Sequence, residues 1–166
     1  MTRILTVLGT ALLMAFSVQV SAETRIGVVD LRQALFSSND AKSFSEQLQQ
    51  DFSGDEARVR EAQEEARKLR DRLQKDGAMM NESERQELTG QFQQKVQEFN
   101  TMKQRLDQAV AQRKQTFVEN ERPEMDAAVQ ELMEEHDLDL ILPSDAVVYV
   151  NPEMNLTDQL LEKLNN

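Results

Sequence analysis

Residues 24–38 read TRIGVVDLRQALFSS, and inside them Ile26 to Val29 is a short apolar run of the kind that builds a strand. No second run like it appears until residues 138–150, LDLILPSDAVVYV. Everything between them is charged and helical in pattern. A strand needs a neighbour for its backbone groups, so the two ends of the chain must meet. The expected fold is α+β and mostly α. A long antiparallel helical coiled-coil hairpin projects from a small β body that assembles between subunits.

Composition agrees with long solvated helices rather than a thick globule. Of 166 residues, 5% are aromatic and 30% are charged, which is thin material for a core. Residues 1–22 stand apart: Arg3 precedes the apolar run Ile4 to Val18, and Val20-Ser21-Ala22 offers a cleavage site before Glu23. A cleaved signal peptide is expected, leaving an exported, soluble chain. The alternative, a retained membrane anchor, is opposed by Thr6, Gly9, Thr10 and Ser17, and by a run shorter than the roughly 20 residues that span a bilayer.

Cysteine is absent, which excludes disulfides, a thiol nucleophile and a thiolate metal site. Formal net charge is -11, and one unit more negative without Arg3. Such a balance excludes duplex nucleic acid as a partner, because phosphate binding needs basic surface.

The rest of the chain divides into three parts. Residues 23–39 carry the first strand and a short helix, 40–122 form the hairpin arm with its tip near 77–81, and 123–166 supply a helix root, a β-hairpin and a last helix. In the outgoing helix, Phe44, Leu48 and Phe52 step by four, and Val59, Ala62, Ala66, Leu69 and Leu73 continue in heptad spacing with Asp55 on the same seam. At DGAMMNESER the chain turns back: Gly77 is expected in the left-handed conformation that ends many helices, and Asn81 with Glu84 forms a capping box. The return helix carries Leu88, Phe92, Val96, Phe99, Met102, Leu106, Val110 and Phe117. Within it Leu88, Phe99 and Val110 recur every eleven residues, so the two stripes drift in opposite senses and should fit imperfectly.

Most of these seam residues bury one another. Met79 and Met80 lie at the loop tip, where they serve either a partner or the packing of the tip itself. Arg67, Lys68, Arg70, Arg72 and Lys75 are opposed only by Asp71 in their stretch, whereas Glu119 to Asp139 holds nine acidic residues against Arg122. The arm thus has a basic outer part and an acidic root. The basic run could equally pair with Glu82, Glu84 and Glu87 across the turn.

Pro123 is expected to mark a kink or a restart, followed by the helical spacing of Met125, Ala128, Val129, Leu132 and Met133. Leu138, Leu140 and Leu142 then alternate with Asp139 and Ile141, Pro143-Ser144-Asp145 makes a turn, and Val147 to Val150 forms the second limb of a hairpin. A last helix, capped by Asn155 or Thr157, aligns Leu156, Leu160, Leu161 and Leu164. Three short strands leave open edges, which closure between subunits would cover. Ile26, Val28, Val29, Leu140, Leu142, Val148 and Val150 are the candidate assembly residues.

Catalytic chemistry has no foothold. His136 is the single histidine, and although Glu134, Glu135, Asp137 and Asp139 surround it, a helix C-terminus suits it better than a metal. No Gly-rich phosphate loop, nucleophile elbow or calcium loop is present. Neither an enzyme nor a cofactor or metal requirement is expected.

The start IGVVDLRQALFSS, the charged hairpin without cysteine, the segment DLDLILPSDAVVYV and the ending NPEMNLTDQLLEKLN, in this order, resemble the Skp (OmpH-like) family of periplasmic chaperones. The resemblance implies a periplasmic homotrimer whose strands join in a central β body. Three arms then extend to enclose unfolded outer-membrane proteins without nucleotide. Met79, Met80, Arg67, Lys68 and Arg70 are the candidate client contacts, and transient approach to the membrane surface is the one lipid contact this reading allows. The family pattern is strongly basic and this chain is acidic, so no lipopolysaccharide site is carried over. The competing reading is a coiled-coil adaptor or tether in the cell envelope that grips one folded partner.

Overall fold

The computed structural model describes residues 24–166, and the expected leader, residues 1–22, lies outside the described residues. Strand β1 (Ile26–Val29) leads through α1 (Leu31–Ser37) into the outgoing helix α2 (Asn39–Asp76). The return helix α3 (Glu82–Glu135) is followed by β2 (Leu140–Pro143), two single 3-10 turns, and α4 (Thr157–Leu164). The architecture is the helical hairpin on a small β body that the sequence implies.

Local chemistry sets each boundary. Asp30 caps α1 by accepting the Gln33 amide at 2.8 Å, and Ser38 caps α2 by accepting that of Ala41 at 3.1 Å. At the far end both bonds of the Asn81/Glu84 capping box form, at 2.9 and 3.1 Å. Helix α3 ends at Glu135, and just beyond its cap Asp137 takes a left-handed φ of 48° while the Leu138 amide reaches back to the Met133 carbonyl at 2.9 Å. Aspartate stands where glycine is commoner because the same carboxylate meets Arg25 at 3.1 Å.

Length follows directly. At 1.5 Å per residue, the 38 residues of α2 span about 57 Å and the 54 of α3 about 81 Å. The surplus in α3 runs beneath the body, where Met125, Ala128 and Leu132 join Val29, Ala34, Leu156, Leu160 and Leu164 in one buried cluster. Lys163 ties α4 to that stretch through Glu135 at 2.7 Å and Glu131 at 3.4 Å. Where the arm meets the body, the Phe44 and Phe117 rings stack with centroids 4.3 Å apart.

Four expectations need correction. No β-hairpin forms: β2 pairs with β1 in parallel, Ile26 opposite Leu140 and Val28 opposite Leu142, and Val147 to Val150 lies outside both strands. The free side of β1 instead takes the Leu156 amide on the Val28 carbonyl at 2.9 Å. Helix α3 also runs through Pro123 without a restart. Both the proline and Glu119, whose carbonyl loses its helical donor, are exposed residues. The residue that caps α4 in position is Leu156, with no side-chain cap bond, although Asn155 accepts from the Thr157 amide at 3.1 Å.

Gly77 is the fourth. Its φ of -58° is right-handed, so left-handed freedom is not what the site requires. A Cβ there would lie 2.3 Å from the Leu73 carbonyl oxygen, whereas at Gly54, inside α2, a Cβ would meet nothing within 4 Å. Gly54→Ala should therefore stabilise the arm by about 0.5–1 kcal/mol, the ordinary helix-propensity gain. Gly77→Ala should lose stability through the forced shift at the tip. Thermal unfolding followed by helical circular dichroism checks both, and equal gains at the two positions would contradict the contact at Gly77.

Candidate functional site

The arm is two helices with no third layer, so part of every seam residue that its partner helix fails to cover faces solvent. Ala62 and Ala66 are buried on α2, and Ala66 lies beside the large Phe92 and Phe99 of α3, which remain half-exposed. The result is a groove of about 720 Å³ along one side of the hairpin, floored by Phe92, Val96 and Phe99. Arg60, Arg67 and Arg70, at helical spacing on α2, form its wall together with Glu64.

The opposite side is bridged by an ion pair. Lys95 crosses from α3 to Glu65 of α2 at 2.8 Å and also meets Glu98 at 2.9 Å. These hydrogen bonds push the lysine ammonium above its ordinary range and hold the Glu65 carboxyl below its own. Lys68 lies on this bridged side, beside Glu65 and Lys95. The sequence reading set Lys68 with Arg67 and Arg70, but the helix turns it to the other face.

The basic run is not neutralised across the turn. Glu82 meets Arg85, Glu84 is used in the capping box and Glu87 accepts from Gln91, all within α3 or at its cap. Among the described residues, Glu65 to Lys95 is the only ion pair that joins α2 to α3. Arg70 turns to its neighbour Asp71 at 2.9 Å, whereas Arg60 and Arg67 make no ion pair among the described residues. At the tip, Met79 is 82% exposed and Met80 is half-buried.

The candidate assembly residues fall into three places. Val29 belongs to the buried core of the body, and Gly27 and Ile141 share its side of the sheet beneath Leu138 and Leu156. Alternation along the strands then puts Ile26, Val28, Leu140 and Leu142 together on the other face. Val28 is only 2% exposed but Leu140 is 44% exposed. Val148 and Val150 sit in the extended segment beyond β2, and Val148 with its neighbour Tyr149 is fully open to solvent. The outer edge of β2 takes no further strand among the described residues.

Acidic side chains meet at the arm root, where Asp40, Glu121 and Glu124 bring carboxylate oxygens within 4.8 Å of one another. Glu121 continues the eleven-residue series of Leu88, Phe99 and Val110, so a carboxylate occupies a seam position. Its desolvation there, then the charges of Asp40 and Glu124, push its pKa upward. His136 is bonded to Gln159 of α4, apart from this cluster, and ties the two helices together.

A raised carboxyl pKa means that ionised Glu121 opposes folding above that value, and the penalty fades as pH falls through it. Asp30, held low by the Gln33 amide, and Glu65, held low by Lys95, act in the reverse sense at lower pH. The difference between wild type and Glu121→Gln isolates the root. The variant should melt higher at neutral pH, with the gap shrinking as pH falls toward the ordinary carboxyl range near 4.5. Paired thermal scans across that interval check the sign, and a gap that widens on acidification would refute it.

Comparison with known proteins places this geometry. The family described as "Outer membrane protein (OmpH-like)" matches residues 25–164. The chain is 28% identical over 159 residues to a Skp-like protein of Pseudomonas aeruginosa, covering 96% of this chain and 94% of that protein. It is 24% identical to a chaperone protein Skp of Pectobacterium atrosepticum, covering 94% of each. The crystal structure of an OmpH-like outer membrane chaperone from Caulobacter crescentus shares the fold, with a TM-score of 0.62 at 17% identity over 87% of this chain and 85% of that one. A family match across nearly all the described residues, joined to the same hairpin on a small β body, establishes that the chain belongs to the Skp (OmpH-like) family of chaperones.

Proposed function

We propose that this protein is an ATP-independent periplasmic holdase that encloses unfolded outer-membrane proteins between helical arms and prevents their aggregation. It acts as a homotrimer joined at the β body, after removal of the leader. The observation that carries this reading is the two-helix arm itself. It extends far from the body and leaves apolar seam surface half-exposed along its length.

Such a surface suits a client without fixed structure. Many shallow apolar and charged contacts add up to retention, while each remains weak enough to exchange. Arms packed only on themselves open locally at low cost, which lets one cage take clients of different size. Trimer formation is supported by the body, whose sheet has a single two-strand ladder, an uncovered β2 edge and the exposed Leu140, Val148 and Tyr149 beside it. We propose no catalytic step, and no nucleotide, metal or nucleic acid takes part.

The test is aggregation of an unfolded outer-membrane β-barrel protein on dilution from denaturant, followed by light scattering without nucleotide. Excess chaperone should suppress it, and an unchanged aggregation curve would remove the proposal. An envelope adaptor that grips one folded partner by the arm tip gives a different result with Met79→Ser combined with Met80→Ser. Distributed gripping predicts a loss of about 1 kcal/mol, roughly fivefold in client affinity, whereas tip recognition predicts its abolition.

A further inference from the structure

We propose that the arm root is an acid-responsive hinge. The arm swings about Ser38 and Pro123 while Asp40, Glu121 and Glu124 are ionised, and it stiffens when these carboxylates share a proton. The inference rests on the geometry of the root and needs no client. Two breaks in the helical backbone lie at one level of the hairpin. On the outgoing side Ser38 separates α1 from α2 with extended dihedrals, φ -64° and ψ 161°. On the return side Pro123 stands inside α3 and leaves the Glu119 carbonyl without its helical donor. Asp40 lies two residues beyond the first break, and Glu121 and Glu124 flank the second. Breaks of this kind are where helices bend.

The carboxylates connect the two breaks. Their oxygens lie within 4.8 Å of one another, one group from α2 and two from α3. The charges that act on Glu121 are those of Asp40 and Glu124. Lys42 and Arg122, the nearest cations along the chain, pair with none of the three among the described residues. Helix α1 brings only Arg32, which acts on its own cap Asp30. Helix α4 brings Asp158, Glu162 and Lys163, and the lysine is taken by Glu131 and Glu135. Like charges this close push α2 from α3, and a proton shared between carboxyl and carboxylate replaces the push with a strong hydrogen bond. One turn toward the arm, the stacked Phe44 and Phe117 rings keep the helices together, and toward the body Met125 and Leu132 are anchored in the core. The bend is confined to the short stretch between them. Burial and two neighbouring carboxylates raise the affinity of Glu121 for the proton that stiffens it.

Hydrogen–deuterium exchange of the intact mature protein, with no client present, reads the hinge directly. At neutral pH the amides of residues 38–46 and 116–126 should exchange about tenfold faster in wild type than in Glu121→Gln. That is the size of effect two like charges at this separation produce between the limits of bulk water and a protein surface. Wild type and variant are compared at each pH, so the intrinsic pH dependence of exchange cancels. Their ratio should fall toward one as pH drops into the ordinary carboxyl range. Amides of residues 60–73, in the middle of the arm, should exchange alike in both proteins throughout. Pro123→Ala restores the donor to Glu119 and should slow exchange at the root at every pH. An unchanged root in Glu121→Gln, a slowing spread evenly along the arm, or a ratio that grows on acidification would each overturn the hinge. So would a Pro123→Ala root that exchanges as fast as wild type.

Discussion

Parallel pairing of Ile26–Val29 with Leu140–Pro143 joins the two ends of a chain whose intervening residues fold as a hairpin. Closing a flexible loop of that size would cost several RT in entropy, but the helices shorten the effective loop by returning the chain to its starting point. Sheet and arm therefore depend on each other. The ladder fixes where α2 leaves, and α3 returns past that point and beneath the body, so that β2 comes to lie beside β1. Val29 and Leu132 hold the junction from within, since both are almost completely buried, in the one core cluster that gathers strand, long helix and terminal helix.

A body this small contributes little stability of its own, and that limits what the arm can be. The hairpin has no third layer to bury its seam, so its apolar positions are compromises between packing and exposure. Beside Ala66, α3 leaves the Phe92 and Phe99 rings half-exposed; on the other side of the same helices, Lys95 bridges to Glu65. Sidedness of this kind arises from drift between a heptad seam and an eleven-residue one, which cannot stay matched over the full length. At the root the mismatch places Glu121 against Asp40 and Glu124.

Much of this was legible in the residues because the signals are local. The strand at Ile26, the seam from Phe44 to Leu73 and the Asn81/Glu84 cap depend on periodicity and short-range hydrogen bonds, which the sequence carries directly. What escaped depends on partners elsewhere. Val147 to Val150 has strong strand character, yet within one chain nothing pairs with it and β2 has taken β1 in parallel. Val28 and Val29 looked equivalent, but alternation sends Val29 into the core and Val28 to the opposite face. Likewise, Arg67 and Lys68 are adjacent in sequence and lie on opposite sides of the arm, a distinction set by which faces of α2 and α3 meet. Asp137 in the left-handed position was invisible because its compensating bond reaches to Arg25 at the other end of the chain.

The two-strand sheet leaves its outer edge and the Leu140, Val148 and Tyr149 surface open, and we propose that further copies of the chain cover them. Light scattering of the mature chain after size-exclusion chromatography, with no client present, measures this most directly. A mass three times that of the mature chain, maintained on dilution, is the predicted result. A stable, fully helical monomer would contradict it, because the exposed edge would then need no partner and no cage would exist to hold a client.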